Sequence, residues 1–177
     1  MKKICIVLSL CVFVIGFGAV ESFALFGDNK FEQEVVKEQE AIKLYREVEQ
    51  GGYGIVSTEE LKQMVDSGDE FLLIDTMPYE ASYKKNHIPG AKQFLFPIPT
   101  MTEWDSGETA GKSQDDFIAM LGPDKDRKII FYCGFVKCTR SHNGALWAVK
   151  LGYTNVSRHP GGIFAWKGAG YESAEVK

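Results

Sequence analysis

Two cysteines five positions apart, Cys133 and Cys138, lie in the run at residues 128–153, KIIFYCGFVKCTRSHNGALWAVKLGY, with Arg140 two positions beyond the second. A thiol attacks only as its thiolate, and the ordinary cysteine pKa of about 8.5 falls to roughly 3.5–7.5 beside a helix N-terminus and a cation. The chain offers both. Residues 129–132 are a short apolar, partly β-branched run that predicts a buried strand of a parallel sheet, and Cys133 stands where it stops. Gly134, Phe135, Val136, Lys137, Cys138 and Thr139 show no apolar periodicity. Residues 141–151 then place Ala145, Trp147, Ala148 and Leu151 at helical spacing, closed by Gly152. A loop entering a helix N-terminus gathers backbone N–H groups where the dipole favours negative charge. The expectation is an anion-binding loop over residues 134–139, with Cys133 as nucleophile. Arg140, whose rigid fork can hold an oxyanion by paired hydrogen bonds, is the expected cation.

The elements that must position this loop follow from the rest of the pattern. Residues 71–75 form a second buried strand ending in Asp75, and ligands of parallel sheets sit beyond the carboxyl ends of strands. Asp75 therefore shares an edge with Cys133, either accepting N–H bonds from the loop or capping the turn at residues 77–84. Residues 93–96 make a third strand; His87 precedes it, at the opposite edge, which favours a structural hydrogen bond. A last strand at residues 154–158 leads through His159 and Gly161-Gly162 to a closing helix; Arg158 and His159 end that strand and so face the crevice edge, and His159 is a candidate substrate contact. Ser57 with Glu60, and Ser113 with Asp116, mark capping boxes of two further helices, so these acid pairs are first-turn charges rather than general acids. The polar loop at 97–112 carries Trp104 and is either a lid or a segment packed through that ring. Strands alternating with helices predict one α/β domain with a parallel sheet.

The 177 residues, 45% hydrophobic and 25% charged, suffice for one well-cored domain and an appendage. Met1-Lys2-Lys3, an apolar run to residue 20 and the exit Ser22-Phe23-Ala24 read as a signal peptide over 1–24, cleaved after Ala24, with a periplasmic or secreted product. Cleavage removes Cys5 and Cys11, and two remaining cysteines are no disulfide framework. It also takes Lys2, Lys3 and Glu21 from 20 basic and 24 acidic residues, leaving 18 and 23, a net of about −5. No basic patch suits nucleic acid. Residues 29–50 carry Phe31, Val35, Ile42 and Tyr45 on one side among charges, which predicts an amphipathic helix resting on the domain flank. The helix and linker thus occupy 25–52, Gly51-Gly52-Tyr53-Gly54 marking the boundary, and the main domain 53–173.

Over residues 54–171 the chain resembles the rhodanese-like family. The resemblance is carried by Leu72-Leu73-Ile74-Asp75, by His87-Ile88-Pro89-Gly90-Ala91, by the cysteine-loop-arginine-serine run at 133–141 and by Gly161-Gly162-Ile163-Phe164-Ala165-Trp166. It implies a five-stranded parallel sheet flanked by helices, with the N-terminal helix an extension, Cys133 the nucleophile and Arg140 the arginine closing its loop. The implied activity is sulfur transfer. Cys133 takes the outer sulfur of a small anionic donor, thiosulfate or a polysulfide, as a persulfide and gives it to a thiol or cyanide acceptor, while loop amides and Arg140 stabilise the anions. No cofactor is implied.

The chain departs from the family pattern in three places. Six residues separate Cys133 from Arg140, where sulfur-transferring members usually have four and the related dual-specificity phosphatases five. Met77 stands in the region of a common arginine. Cys138 is an addition, similar to that of a subset of exported members. Two alternatives stay open: a Cys133/Cys138 redox pair, oxidised outside the cytoplasm and served by a periplasmic redox protein, and a binding module without turnover. A phosphatase ranks lower, because Phe135 and Val136 are hydrophobic and no acid is placed to protonate a leaving alcohol. A zinc set of Cys133, Cys138, His142 and His159 matches no familiar spacing; His142, on the first helical turn, is expected in solvent, and no metal is assigned.

Overall fold

Short apolar runs that are buried on both faces form parallel sheets when helices cover each side. The chain adopts this arrangement in the computed structural model, which describes residues 29–176. The signal segment expected at 1–24 lies outside the described residues. The elements in order are α1 (Lys30–Gly51), β1 (Gly54–Ile55), α2 (Thr58–Ser67), β2 (Leu72–Asp75), a π-helical turn (Tyr79–Tyr83), β3 (Lys92–Gln93), α3 (Gln114–Leu121), β4 (Ile129–Tyr132), α4 (Arg140–Lys150), β5 (Val156–His159) and α5 (Gly162–Gly168). The five strands pair in the order β1-β5-β4-β2-β3, each pair parallel. The fold is the expected α/β class, a five-stranded parallel sheet flanked by helices.

Alternation along the strands divides the core. Ile129 and Phe131 face a cluster with Phe94, Phe96, Phe117 and Trp147, whereas Ile130 and Tyr132 face one with Leu61, Leu73, Ile163 and Trp166. The register sets Asp75 beside Tyr132 and Tyr132 beside His159. The carboxyl ends of the three central strands are therefore level, and Cys133 emerges one residue beyond them. Both expected capping boxes form, at Ser57–Glu60 for α2 and Ser113–Asp116 for α3.

Differences from the sequence expectations lie where burial is set by distant partners. β1 is two residues long and carries no periodicity by which to recognise it. Beyond β3, Phe94 and Phe96 leave the regular ladder, yet their N–H groups still bond Asp75 and Thr76 carbonyls at 2.9 and 3.4 Å. Trp104 packs edge-on against Trp147 at 5.1 Å and donates Nε1–H to the Lys112 carbonyl, so the 97–112 loop is pinned to the core cluster rather than hung over the site. His87 has the structural place expected of it: its ring stacks on Tyr83 at 4.2 Å and its Nδ1 bonds the Tyr83 carbonyl.

The helix α1 corrects the reading of its apolar stripe. Phe31, Val35, Ile42 and Tyr45 all face outward, Phe31 being 71% exposed, and the buried residues of the helix are Glu47 and Gly51. The docking face joins an ion pair to apolar packing: Glu47 pairs with the fully buried Arg158 of β5, and Val48 packs on the core cluster.

Gly162 is where backbone meets backbone most closely. Its φ is +59°, and a Cβ there would stand 2.2 Å from the Cys133 carbonyl oxygen. Left-handed strain and an immovable neighbour together predict that Gly162→Ala costs roughly 2–4 kcal/mol. Urea unfolding measures it, and an unchanged midpoint would mean that the approach of α5 to the cysteine is loose.

Candidate active site

The cysteine loop is held first by α5. The N–H groups of Ile163 and Phe164 donate to the Cys133 and Gly134 carbonyls at 2.9 and 3.0 Å. Gly134 faces the Met77 thioether, where an added Cβ would meet it at 3.7 Å. The chain then turns, the Cys138 N–H bonding the Phe135 carbonyl at 3.0 Å, and the half-exposed Phe135 ring rests 5.4 Å from that of Phe164. Thr139 precedes α4 without capping it, because its hydroxyl is engaged elsewhere: it donates to Glu47 Oε1 at 3.1 Å and accepts from Lys43 Nζ at 2.8 Å. Lys137, at the surface, gives its carbonyl to Lys43 and its ammonium to Glu40.

Both loop cysteines are free thiols, and they differ. Cys133 has no exposed surface; its Sγ lies 3.2 Å from the Cys138 carbonyl oxygen and 3.2 Å from Ser141 Oγ. Burial, and then the adjoining Cys138 sulfur, push the Cys133 thiol well above the usual cysteine range. Cys138 keeps 8% exposure. Hydrogen bonding from the Cys133 thiol, against the pull of burial, and then the N–H groups of Arg140 and Gly134 bring Cys138 down to about 6. Amides therefore serve both sulfurs, those of Gly134 and Arg140 at Cys138 and that of Ser141 at Cys133, and the balance leans toward a Cys138 thiolate beside a Cys133 thiol. At neutral pH the pair shares one proton.

The cations are also distributed differently from the expectation. The Arg140 guanidinium donates to the Phe96 carbonyl and does not reach Cys133; its charge acts on Cys138. The cation at the centre is Arg158. Its Nε donates to Ser141 Oγ at 2.8 Å, its Nη1 to Glu47 Oε2 at 2.5 Å, and its Nη2 to the Val136 and Cys138 carbonyls at 3.0 and 2.8 Å. Because Ser141 Oγ accepts from Arg158, its own hydrogen is free to turn toward Cys133. Burial alone would raise the Glu47 carboxyl, but Arg158 outweighs it and holds the group below its ordinary value.

The two histidines named from sequence are buried. His142 is not in solvent: it has no exposed surface, its Nδ1 bonds the Tyr53 hydroxyl at 2.8 Å, and burial pulls its pKa to about 4. The cause is α1, which packs across α4 and leaves the stretch from Ser141 to Ala148 enclosed. His159 is fully buried, with its ring nitrogens 3.3 Å from the Val56 and Gly162 carbonyls, so it braces two backbone segments instead of facing an opening. Asp75 accepts the Met77 N–H at 2.8 Å, the turn-capping alternative, and Oδ2 has no partner.

Sequence reasoning missed Glu47 and Ser141 and gave Arg158 no more than a place at the crevice edge. The available signal was Arg158 itself, a long cation two residues after Val156 in a strand, which has to find an anion if it points inward. Nothing distinguishes Glu47 from the other acids of α1.

Burial holds the Asp75 carboxyl up at about 6, against an ordinary 3.8, the Met77 N–H offsetting part of the rise. The folded chain then binds this proton more tightly than the unfolded one, and stability falls as pH climbs from about 4 to 6, by up to roughly 3 kcal/mol. His142 works in the opposite sense over an overlapping window, since it is neutral when folded and costs stability as pH drops from 6.5 toward 4. Comparison with a single variant separates them. Urea unfolding of Asp75→Asn should show an advantage over the parent that grows by about 2–3 kcal/mol from pH 4 to 6.5; a pH-independent difference would mean that Asp75 ionises normally.

The rhodanese-like domain profile matches residues 57–169. Among solved structures, the chain is similar to a thiosulfate sulfurtransferase from Pseudomonas aeruginosa, with 21% identity, TM-score 0.55 and coverage of 76% of this chain and 23% of that one. It is similar to a Bacillus halodurans protein at 21% identity, TM-score 0.54, covering 77% of this chain and 87% of that one. The polysulfide-sulfur transferase homodimer from Wolinella succinogenes shares 12% identity at TM-score 0.50, covering 78% and 91%. No curated protein matches. With the profile spanning all five strand ends that frame the cysteine loop except the first, and α2 through α5 in their places, the chain belongs to the rhodanese-like domain family.

Proposed function

We propose that the chain is a sulfurtransferase that takes sulfane sulfur from thiosulfate or a polysulfide as a persulfide on Cys133 and passes it to a thiol or cyanide. The observation that carries this reading is two thiols on one loop at the carboxyl end of β4, the Cys133 Sγ 3.2 Å from both the Cys138 carbonyl oxygen and Ser141 Oγ, with Cys138 biased toward its thiolate and Cys133 toward its thiol. The shared proton moves between the two sulfurs, and the minor form, with Cys138 protonated and Cys133 ionised, is the one that reacts. Its Cys133 thiolate attacks the outer sulfur of thiosulfate. A new S–S bond forms, the old one breaks, and sulfite leaves with the bonding electron pair. An acceptor thiolate or cyanide then attacks the outer sulfur of the persulfide, and Cys133 departs as thiolate and recovers its proton from Cys138. Amides of the loop, the Arg140 charge and the start of α4 favour the anions at each stage. Cys133 is covered in the resting chain, so donor entry requires a local movement at half-exposed Phe135, which lies outside the grip that Arg158 and Lys43 have on residues 136–139. Two structures sharing this fold are named as sulfur transferases, in accord with the donor class.

A second reading of the same pair is favoured by the adjacency of the two sulfurs. In the oxidising compartment to which a signal segment at 1–24 would direct the chain, exchange with the disulfide of a redox protein closes Cys133 and Cys138 to a disulfide and leaves that protein as its dithiol; sulfur uptake is blocked until the reverse exchange with a dithiol reopens the pair.

Reduced protein incubated with thiosulfate or polysulfide should gain the mass of one sulfur atom, mapped by peptide mass spectrometry to Cys133. Cys133→Ser should stay folded and gain none; a variant that still transfers sulfur removes Cys133 from the mechanism. Brief treatment with iodoacetamide at pH 7 should label Cys138 well ahead of Cys133. Preferential labelling of Cys133 would reverse the assignment of the proton.

A further inference from the structure

The match to the family begins at residue 57, and α1 ends at Gly51, so the helix is an addition to the matched domain. It nevertheless reaches the cysteine loop at several points. Lys43 Nζ donates to the Lys137 carbonyl at 2.6 Å and to Thr139 Oγ1 at 2.8 Å, and Glu47 Oε1 accepts from that same hydroxyl. Through its other oxygen Glu47 holds Arg158, whose remaining nitrogens grip Ser141 and the carbonyls of Val136 and Cys138.

We infer that α1 completes the active site, Glu47 acting as a positioning residue that fixes the cysteine loop through Arg158. Arg158 has no exposed surface, and Glu47 is the one carboxylate paired with it among the described residues. A buried guanidinium without its anion does not stay in place. With Glu47 seated on Nη1, the geometry of the planar fork leaves Nη2 aimed at the two loop carbonyls and Nε at Ser141. A six-residue loop has many shapes, and this grip selects the one in which the Gly134 and Arg140 amides meet Cys138 and the Ser141 hydroxyl meets Cys133. Lys43 secures the same loop from outside at Lys137 and Thr139. The inference deepens the sulfur-transfer reading and rests on it for the task the loop performs.

The test reads the thiols without any sulfur donor. The rate of iodoacetamide labelling at Cys138, followed by mass spectrometry across pH, gives the midpoint at which that thiol ionises in the parent chain, in Glu47→Gln, in Glu47→Asp and in Thr139→Val. Other titratable groups facing the thiols, namely Tyr53, Asp75, Arg140, His142 and Arg158, are unchanged in every variant. Deleting an anion near a thiol lowers the midpoint by charge alone, whereas a loop that has lost its shape gives up the amide bonds to Cys138 and raises it. The expected result for Glu47→Gln is a rise of about one unit, hence about tenfold less thiolate below both midpoints and sulfur loading slower by a similar factor. Glu47→Asp, which keeps the charge, should recover at least half of the rise. A folded Glu47→Gln whose midpoint is unchanged or lower overturns the proposal. If Glu47→Gln fails to unfold cooperatively, Thr139→Val decides, since it cuts the link from the loop to Lys43 and Glu47 without changing any charge: a rise upholds the role of α1 and a parental midpoint overturns it. Failure of the sulfur-transfer reading looks different, as a parent chain that takes no sulfur from thiosulfate or polysulfide at any pH.

Discussion

The ion pair between Arg158 and Glu47 is the constraint around which the loop, the sheet and the appended helix are arranged. Arg158 is enclosed at the end of β5, next to the strand that delivers Cys133, and each of its three nitrogens has a partner. A buried pair of this kind is weak evidence for stability, because desolvating two charges cancels much of their attraction. Removing one partner alone is costly, roughly 3–5 kcal/mol. What the pair contributes is geometry: a planar cation that can point only one way ties a strand, a loop and a helix at a single centre.

The chemistry of the loop follows from which backbone groups that centre consumes. Carbonyls of Val136 and Cys138 are turned toward Arg158, and the Cys138 carbonyl also receives the Cys133 thiol. Carbonyl oxygen beside a sulfur favours the thiol and amide hydrogen favours the thiolate, so the enclosed Cys133 leans toward its protonated form and Cys138 toward its ionised one. In the proposed reaction the covered sulfur attacks and its neighbour holds the resting charge.

The fold was largely legible in the sequence, and the reasons are local. The runs at β2 and β4 are apolar at successive positions because both faces of a parallel sheet are covered, and Ser57 and Ser113 announce helices through bonds that span three residues. Cys133 could be placed at a strand end by the same logic. Its environment could not. The charge leans toward Cys138 because the direction of the loop carbonyls is dictated by Arg158, and Arg158 is inward only because Glu47, far away in the chain, is there to meet it. The apolar stripe of α1 misled for a related reason. Periodicity detects where apolar side chains gather, and it cannot tell that a helix will dock through Glu47 and Val48 and leave Phe31 and Tyr45 facing out. His142, which looked like a first-turn surface residue, is covered by that same docking.

Glu47 and Arg158 stand 111 positions apart. Contacts so distant in sequence are slow to form, because most of the polymer must be ordered before they can close. The carboxylate belongs to α1 and the guanidinium to β5, so the centre closes only when the two ends of the described fold have met. A growing or half-folded polypeptide that lacks either end lacks the clamp, and the surroundings of its sulfurs belong to the completed molecule alone.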